Sequence, residues 1–509
     1  MDNGAHRSRS ILLAAAVVGI LADVLLRATP WGLNMLLWTT ALVGAILVLA
    51  RYTRSTTEAY LMKLGVGAAI LASGFVWRDS TVLAGLDILG LLAILSFGSL
   101  KAALRSVRSL SLWEYTAAVF ASAGAATVGM FQLLLGDVKW KPQVSRLGGK
   151  HAMAVGRGVA LSVPLVIVFG WLLISADPAF QNLTGNLFKI NPAEALAHLA
   201  IIFPCTWLAG GYIRRVLVSV EVPAEEVAGR KSPTLGVIEI AVVLGLLNVL
   251  FLTFVLVQFH YFFGGGHRVQ SVAGLTYSEY ARRGFFELVA VAALALPVLL
   301  VADWVLKKEA RRDEVVFRST AAALIGLIFV IMISAFQRMF LYLREYGQTE
   351  LRIYTTAFMV WLAFLFLWFA ATVLRGRRDR FAFGAIVSGF AMILALHVVN
   401  PDAMMVHSNA HRAAGGRSFD VAYNTSLSAD SIPELVRDIG WLRSEDQTRV
   451  ARSLLDNWSE PKGDWRTWNS DRAAAVRAVQ DSRSMLEQYA AGAELRAIWT
   501  EEIETGPTR

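Results

Sequence analysis

The sequence predicts an all-α protein, a polytopic transmembrane helical bundle followed by a C-terminal helical domain outside the membrane. Three observations predict it. Hydrophobic residues make up 56% of the 509 and charged residues only 17%, with a mean hydropathy of +0.52; a soluble domain carries about 25% charged residues. Apolar runs long enough to cross a hydrocarbon core of about 30 Å recur through the first 400 residues. From Asn400 onward the balance changes to 13 Lys and Arg against 17 Asp and Glu, leaving 35 against 22 in the part before it.

In chain order the expected spans are 11–27, 31–50, 60–77, 80–100, 113–136, 153–175, 195–218, 235–262, 284–306, 317–340, 352–374 and 381–398, about twelve crossings by length. The opening run has a basic flank but no small-residue cleavage site, so it reads as a span that stays. Two tight hairpins come next, turned by "LLRATPWGLNMLLW" and "FVWRDSTVLAGLDILG", each with Arg and then Gly-Leu-Asn or Gly-Leu-Asp. Phe263-Gly264-Gly265-Gly266-His267 reads as a glycine helix stop. Asn400-Pro401-Asp402 ends the last span, since proline disfavours helix at the residue before it and Asp402 is suited to cap the next helix. The division is therefore 1–399 in the membrane and 400–509 outside it.

The surplus of positive charge lies between spans, where it marks cytoplasmic loops, and needs no nucleic acid to explain it. In the second half Arg214/Arg215 with Arg230/Lys231, then Lys307–Arg312, then Arg375–Arg380 alternate cleanly. They place the tail on the extracytoplasmic side. The first half alternates too, with Arg7/Arg9, Arg51/Arg54 and Lys101–Arg108, but these conflict with Lys139–Lys150 if 113–136 crosses once.

In the tail, Ser431–Glu434 and Ser444–Gln447 have the spacing of capping boxes before amphipathic runs. Trp441, Trp458, Trp465, Trp468 and Trp499 either pack a small core or rest at headgroup level.

No P-loop, nucleophile elbow, zinc-protease or dinucleotide signature is present, and no cofactor is expected. The single cysteine, Cys205, reads as a small hydrophobe. His407 and His411, with Asp402 and His397 nearby, have the i, i+4 spacing of a chelating pair, but Pro401 breaks the helix and no supporting ligand stands at the right spacing, so no metal is expected. Within the spans Asp23, Arg27, Arg157 and His198 stand out, and above all Asp87 and Glu239 as intramembrane acids; each is either a structural contact or part of a proton or ion relay. A denser cluster joins Tyr280, Arg283 and Glu287 to Arg338, Tyr342 and Arg352 and to Asn400 and Asp402. It reads either as a cleft for an anionic small molecule or lipid headgroup or as a hydrogen-bonded collar around helix ends.

"GLTYSEYARRGFFELV", "FQRMFLYLREYGQTELRIYT", "NPDAMMVHSNAHR" and "FDVAYNTSLSADSIPEL", with "DWRTWN" near the end, resemble the bacterial multi-pass family called domain of unknown function 4173, related to 4153. That resemblance implies Asn400-Pro401-Asp402, Asn409, Arg412, Asp420, Tyr423 and Asp430 as pattern residues and implies no activity. The expectation is a multi-pass protein of the cell membrane, non-enzymatic, transport-like or reading an envelope ligand. The alternative is a membrane-embedded enzyme acting on a lipid-linked substrate, with Glu279, Asp402 or Glu287 as its base.

Overall fold

The computed structural model describes residues 3–54, 57–98, 112–138, 192–218, 234–263, 285–307, 309–461 and 463–492, with scattered positions between 158 and 176. Among them there are eleven helices long and apolar enough to cross a membrane and no β-strand. The expected span at 153–175 lies outside the fully described residues. Contacts divide the chain into two units. One comprises Met1–Leu104, Trp113–Glu221 and Pro461–Ala473; the other comprises Arg105–Leu112, Val222–Glu460 and Ala474–Arg509.

The first unit holds α1 (Asn3–Leu26), α2 (Leu33–Tyr52), α3 (Glu58–Trp77), α4 (Thr81–Gly98), α5 (Leu112–Gln132) and α6 (Pro192–Val218). Its core is aliphatic, with Ile11, Val18, Leu42, Ile46, Leu61, Leu133 and Ile213 buried together. Helices α1 to α4 run up and down in sequence, as short polar turns between apolar runs require. The Tyr60 hydroxyl donates to the Phe97 carbonyl (2.9 Å), fixing the start of α3 beside the end of α4. Helix α6 lies antiparallel to α1. Arg7 donates to the Leu217 carbonyl at one end, and Asp23 meets His198 at the other.

Helix α5 is apolar enough to cross, yet both of its ends meet the same end of this unit. The Tyr115 ring packs edge-on against Phe97, in the last turn of α4, with centroids 5.1 Å apart. A π-helical turn, Leu133–Asp137, then brings Asp137 to Arg214 in the last turn of α6, at 2.5 Å from Nε. A segment tied in this way returns the chain towards the side it left. The count that set Lys101–Arg108 against Lys139–Lys150 therefore loses its basis, although both runs lie outside the described residues.

The second unit holds α7 (Val237–Phe263), α8 (Phe285–Val305), α9 (Arg311–Tyr346), α10 (Glu350–Thr372) and α11 (Phe381–Val399). The tail helices α12 (Pro401–Ala414), α13 (Val421–Ser426), α14 (Ile432–Asp438) and α15 (Ser444–Trp458) come next. Helix α16 (Ser470–Asp481) comes after the stretch assigned to the first unit. Helices α7 and α9 run parallel: Asn248 Nδ2 donates to the Thr320 carbonyl (3.0 Å) and Ser334 donates to Gln258 (2.5 Å). Leu235 pairs with Leu306, so the start of α7 sits beside the basic α8–α9 turn. At 36 residues, α9 is about 54 Å long, well beyond a core of about 30 Å. The tail has its own core, with Met405, Val406, Ile432, Leu435, Ile439, Val450 and Leu454 buried around Ile353 of α10.

Both expected capping boxes are absent. The Ser431 hydroxyl donates to the Ser428 carbonyl instead, and Ser444 lies inside its helix, behind Arg443 at the cap position. Asn400, in the left-handed region at φ 52°, caps α12 by accepting from the Ala403 amide. Asp402 does not cap it, because with Pro401 first in the helix its carboxylate is turned to Ser428.

Candidate functional site

Tyr280 and Arg283 lie outside the described residues, as does Glu279. The other residues of the expected cluster come to one end of the second unit, opposite its basic turns. Glu287 is exposed in the first turn of α8. Arg338 is buried in α9 and Tyr342 half-buried one turn later. The Arg352 guanidinium lies 4.0 Å from the centre of the Tyr342 ring, and its Nη1 donates to the Gly347 carbonyl at 2.5 Å. Asn400 Nδ2 reaches the Asp430 carbonyl (3.3 Å), and the fully buried Asp402 accepts from Ser428.

The α9–α10 turn is held by residues that the sequence marked only through family resemblance. Asn409 accepts from the Gln348 amide (2.8 Å) and donates to the Gln348 carbonyl (3.1 Å) and to Asn424 (3.1 Å). Arg412 donates to the carbonyls of Arg344 and Glu345 at the open end of α9, where a helix leaves carbonyls without partners. Arg417 pairs with the Glu345 carboxylate. The Tyr423 hydroxyl accepts from the Glu350 amide (2.8 Å). Burial pushes the Tyr423 phenol above its ordinary range, and burial followed by repulsion from Arg417 draws Arg412 below its own. Gly347, at φ 78°, sits inside this clasp, and a Cβ there would lie 2.4 Å from Arg412 Nη1 and 2.5 Å from Asn409 Oδ1. Asn409 and Asn424 are buried, and with Arg412, Arg417 and Tyr423 they join the turn to α12 and α13 by hydrogen bonds and an ion pair.

The intramembrane candidates separate. Asp87 is buried in the middle of α4. Glu239 is exposed in the first turn of α7, near the Leu235–Leu306 pairing rather than deep within a span. Asp23, Arg27 and His198, noted one by one in the sequence, come together. His198 Nδ1 is 2.5 Å from Asp23, and His198 Nε2 is 2.7 Å from Arg27 Nη1. The imidazole thus stands between the carboxylate and the guanidinium and bridges the two charged groups. Arg157 lies outside the described residues.

The four residues weighed for a metal do not converge. His397 Nδ1 contacts the Ile393 carbonyl, and His411 packs edge-on against Trp441. His407 meets Asp438 (2.8 Å) and Glu434 (3.0 Å) on α14, in a group with ligand-like spacing. Arg437 pairs with both of those carboxylates, which makes the group an ion-pair network whose positive charge is already supplied.

In the first unit, residues 461–473 form a strap over the two hairpin turns. The Trp468 carbonyl accepts from the Leu33 amide (2.9 Å) at the start of α2. Asn469, 1% exposed, donates to the carbonyls of Phe75 (2.8 Å) and Arg78 (2.9 Å). Arg472 pairs with Asp79 and donates to the Trp31 carbonyl, while Asp471 pairs with Arg78. Gly32 permits the close approach, since a Cβ there would lie 2.4 Å from the Trp468 carbonyl oxygen. Of the paired turn residues, Gly32, Leu33 and Arg78 meet the strap, and nothing local in the sequence links those turns to "DWRTWN".

A family model described as Domain of unknown function (DUF4153) matches residues 65–437, well over half of the chain, and the chain belongs to that family. No curated protein and no solved structure matches it.

Proposed function

We propose that this family member is a multi-pass protein of the bacterial plasma membrane, also related to family 4173. In this reading it has no catalytic chemistry of its own, and its helical tail, on the extracytoplasmic side, reads an anionic envelope ligand. The observation that carries the reading is the clasp of Asn409, Arg412 and Tyr423 on the α9–α10 turn. It spends polar side chains on helix ends, as a joint that passes motion between a domain and the membrane requires. The ligand reading rests on Arg338, Tyr342 and Arg352, at the membrane edge of that joint, since planar guanidinium groups match carboxylate or phosphate. Sidedness is supported by each unit taken separately. The strap is opposite the end with Arg7, Arg9, Arg51 and Arg54, and the tail of the second unit is opposite Lys307–Arg312 and Arg375–Arg380.

With Cys205 replaced by serine, a cysteine at the exposed Glu445 should react with an impermeant thiol reagent in intact cells, and one at Arg311 should not. The reverse pattern would overturn the orientation. For the ligand, the protein should show slower amide hydrogen exchange over 347–352 and 401–414 in phosphatidylglycerol nanodiscs than in phosphatidylcholine ones. Arg352→Gln should abolish the difference. Equal exchange in both lipids, with inorganic phosphate also without effect, would sink the ligand reading and leave the joint.

A further inference from the structure

The strap is polar in sequence and lies about sixty residues beyond the last span, yet all of its main contacts are with helix ends. It bonds the first residue of α2, the end of α3 and, through Arg466, the Val24 carbonyl near the end of α1. Those ends are where apolar spans give way to water, so the strap sits at the boundary of the hydrocarbon. Its own indoles are turned outward, Trp465 at 63% and Trp468 at 50% exposed, and Trp31 and Trp77 on the turns beneath are exposed as well. Its charges are matched locally: Arg466 with Asp464, Arg472 with Asp79, and Asp471 with Arg78. The Arg78 guanidinium lies 4.8 Å from the centre of the Trp77 ring.

Four open indoles on one water-facing surface would be an exposed apolar patch without purpose. At the headgroup layer the same rings are favoured, apolar body inward and N–H outward. We infer that residues 461–473 are a membrane-interface element. Trp465 and Trp468 seat in the headgroup layer beside Trp31 and Trp77, on the side away from Arg7 and Arg51. The strap thereby fastens the two hairpins at the bilayer surface.

The test uses the full chain with Cys205→Ser, one copy per nanodisc of phosphatidylethanolamine and phosphatidylglycerol in a 3:1 ratio. Nitroxide labels are placed through Trp465→Cys, Trp468→Cys or Glu445→Cys. Collisions with a water-soluble nickel chelate should be about fivefold fewer at 465 and 468 than at 445, with collisions with oxygen raised, as for an interfacial depth. Brominated lipid should also quench the fluorescence of the unlabelled protein more than that of Trp465→Phe, which keeps the ring. Nickel accessibility at 465 and 468 equal to that at 445, with quenching unchanged by Trp465→Phe, would overturn the proposal. Shielding that appears only when two copies share a nanodisc would overturn it too, by assigning the surface to a second copy.

Discussion

Asn469→Ala should release the strap from the first unit. The side chain is buried and makes four hydrogen bonds, donating to the carbonyls of Phe75 and Arg78 and accepting from the amides of Asp471 and Arg472. Alanine leaves two carbonyls without their donor and removes the cap of α16. At about 1–3 kcal/mol for a buried group without its partner and about 1 kcal/mol for a cap, the loss is about 4 kcal/mol. That corresponds to opening about a thousandfold more often. Tryptic cleavage after Arg466 and Arg472, measured on the detergent-purified protein, reads it directly. Asn469→Asp keeps the two accepted bonds but sets a buried carboxylate against the Phe75 and Arg78 carbonyls, so it should be cleaved at least as fast as alanine. Cleavage rates alike in all three proteins would show that Asn469 does not hold the strap.

The second large effect is expected at Gly347. Its backbone, at φ 78° and ψ −173°, lies in a region that only glycine enters readily, and the clasp leaves no room for a Cβ. Gly347→Ala therefore combines backbone strain with displacement of Arg412 and Asn409, together about 3–4 kcal/mol. A Cβ at Gly416, where φ is 88°, would meet no heavy atom within 4 Å, so Gly416→Ala carries the strain alone, about 1–2 kcal/mol. Thermal unfolding followed by tryptophan fluorescence should rank the variants in that order. Equal midpoints for the two would mean that the clasp gives way freely and that the joint is soft.

The two outcomes bear on different parts of the chain. The strap variants test how the hairpin turns are closed, while the Gly347 pair tests the coupling of α9 and α10 to the tail. Neither replaces a residue proposed to contact a ligand, so loss of stability in either is separable from loss of binding at Arg338 or Arg352.

Much of the helical layout was legible in the sequence because spanning a bilayer is a local requirement. About twenty apolar residues satisfy it without help from distant parts of the chain, and eleven of the expected spans correspond to helices of that kind. The stop after Val399 was also local, fixed by Asn400 and Pro401. Capping was less legible, because Ser431 had a nearer partner in Ser428, a choice set by the turn before it and not by the spacing to Glu434.

What only the tertiary structure decided is which polar residues meet. Asp23 and His198 are 175 positions apart, and Asn469 and Phe75 are 394 apart. Hydropathy marks neither Asn469 nor Phe75, and it marks Asp23 and His198 as out of place in apolar runs without carrying information about a partner. A buried polar group must find one wherever the fold brings it, and that choice depends on helix order, on the return of α5 and on the strap crossing the turns. The sequence by itself determined the long apolar helices of a multi-pass membrane protein and the helix break at Asn400-Pro401. The fold determined how its polar residues are joined, because hydrogen bonds are satisfied by neighbours in space and not in sequence.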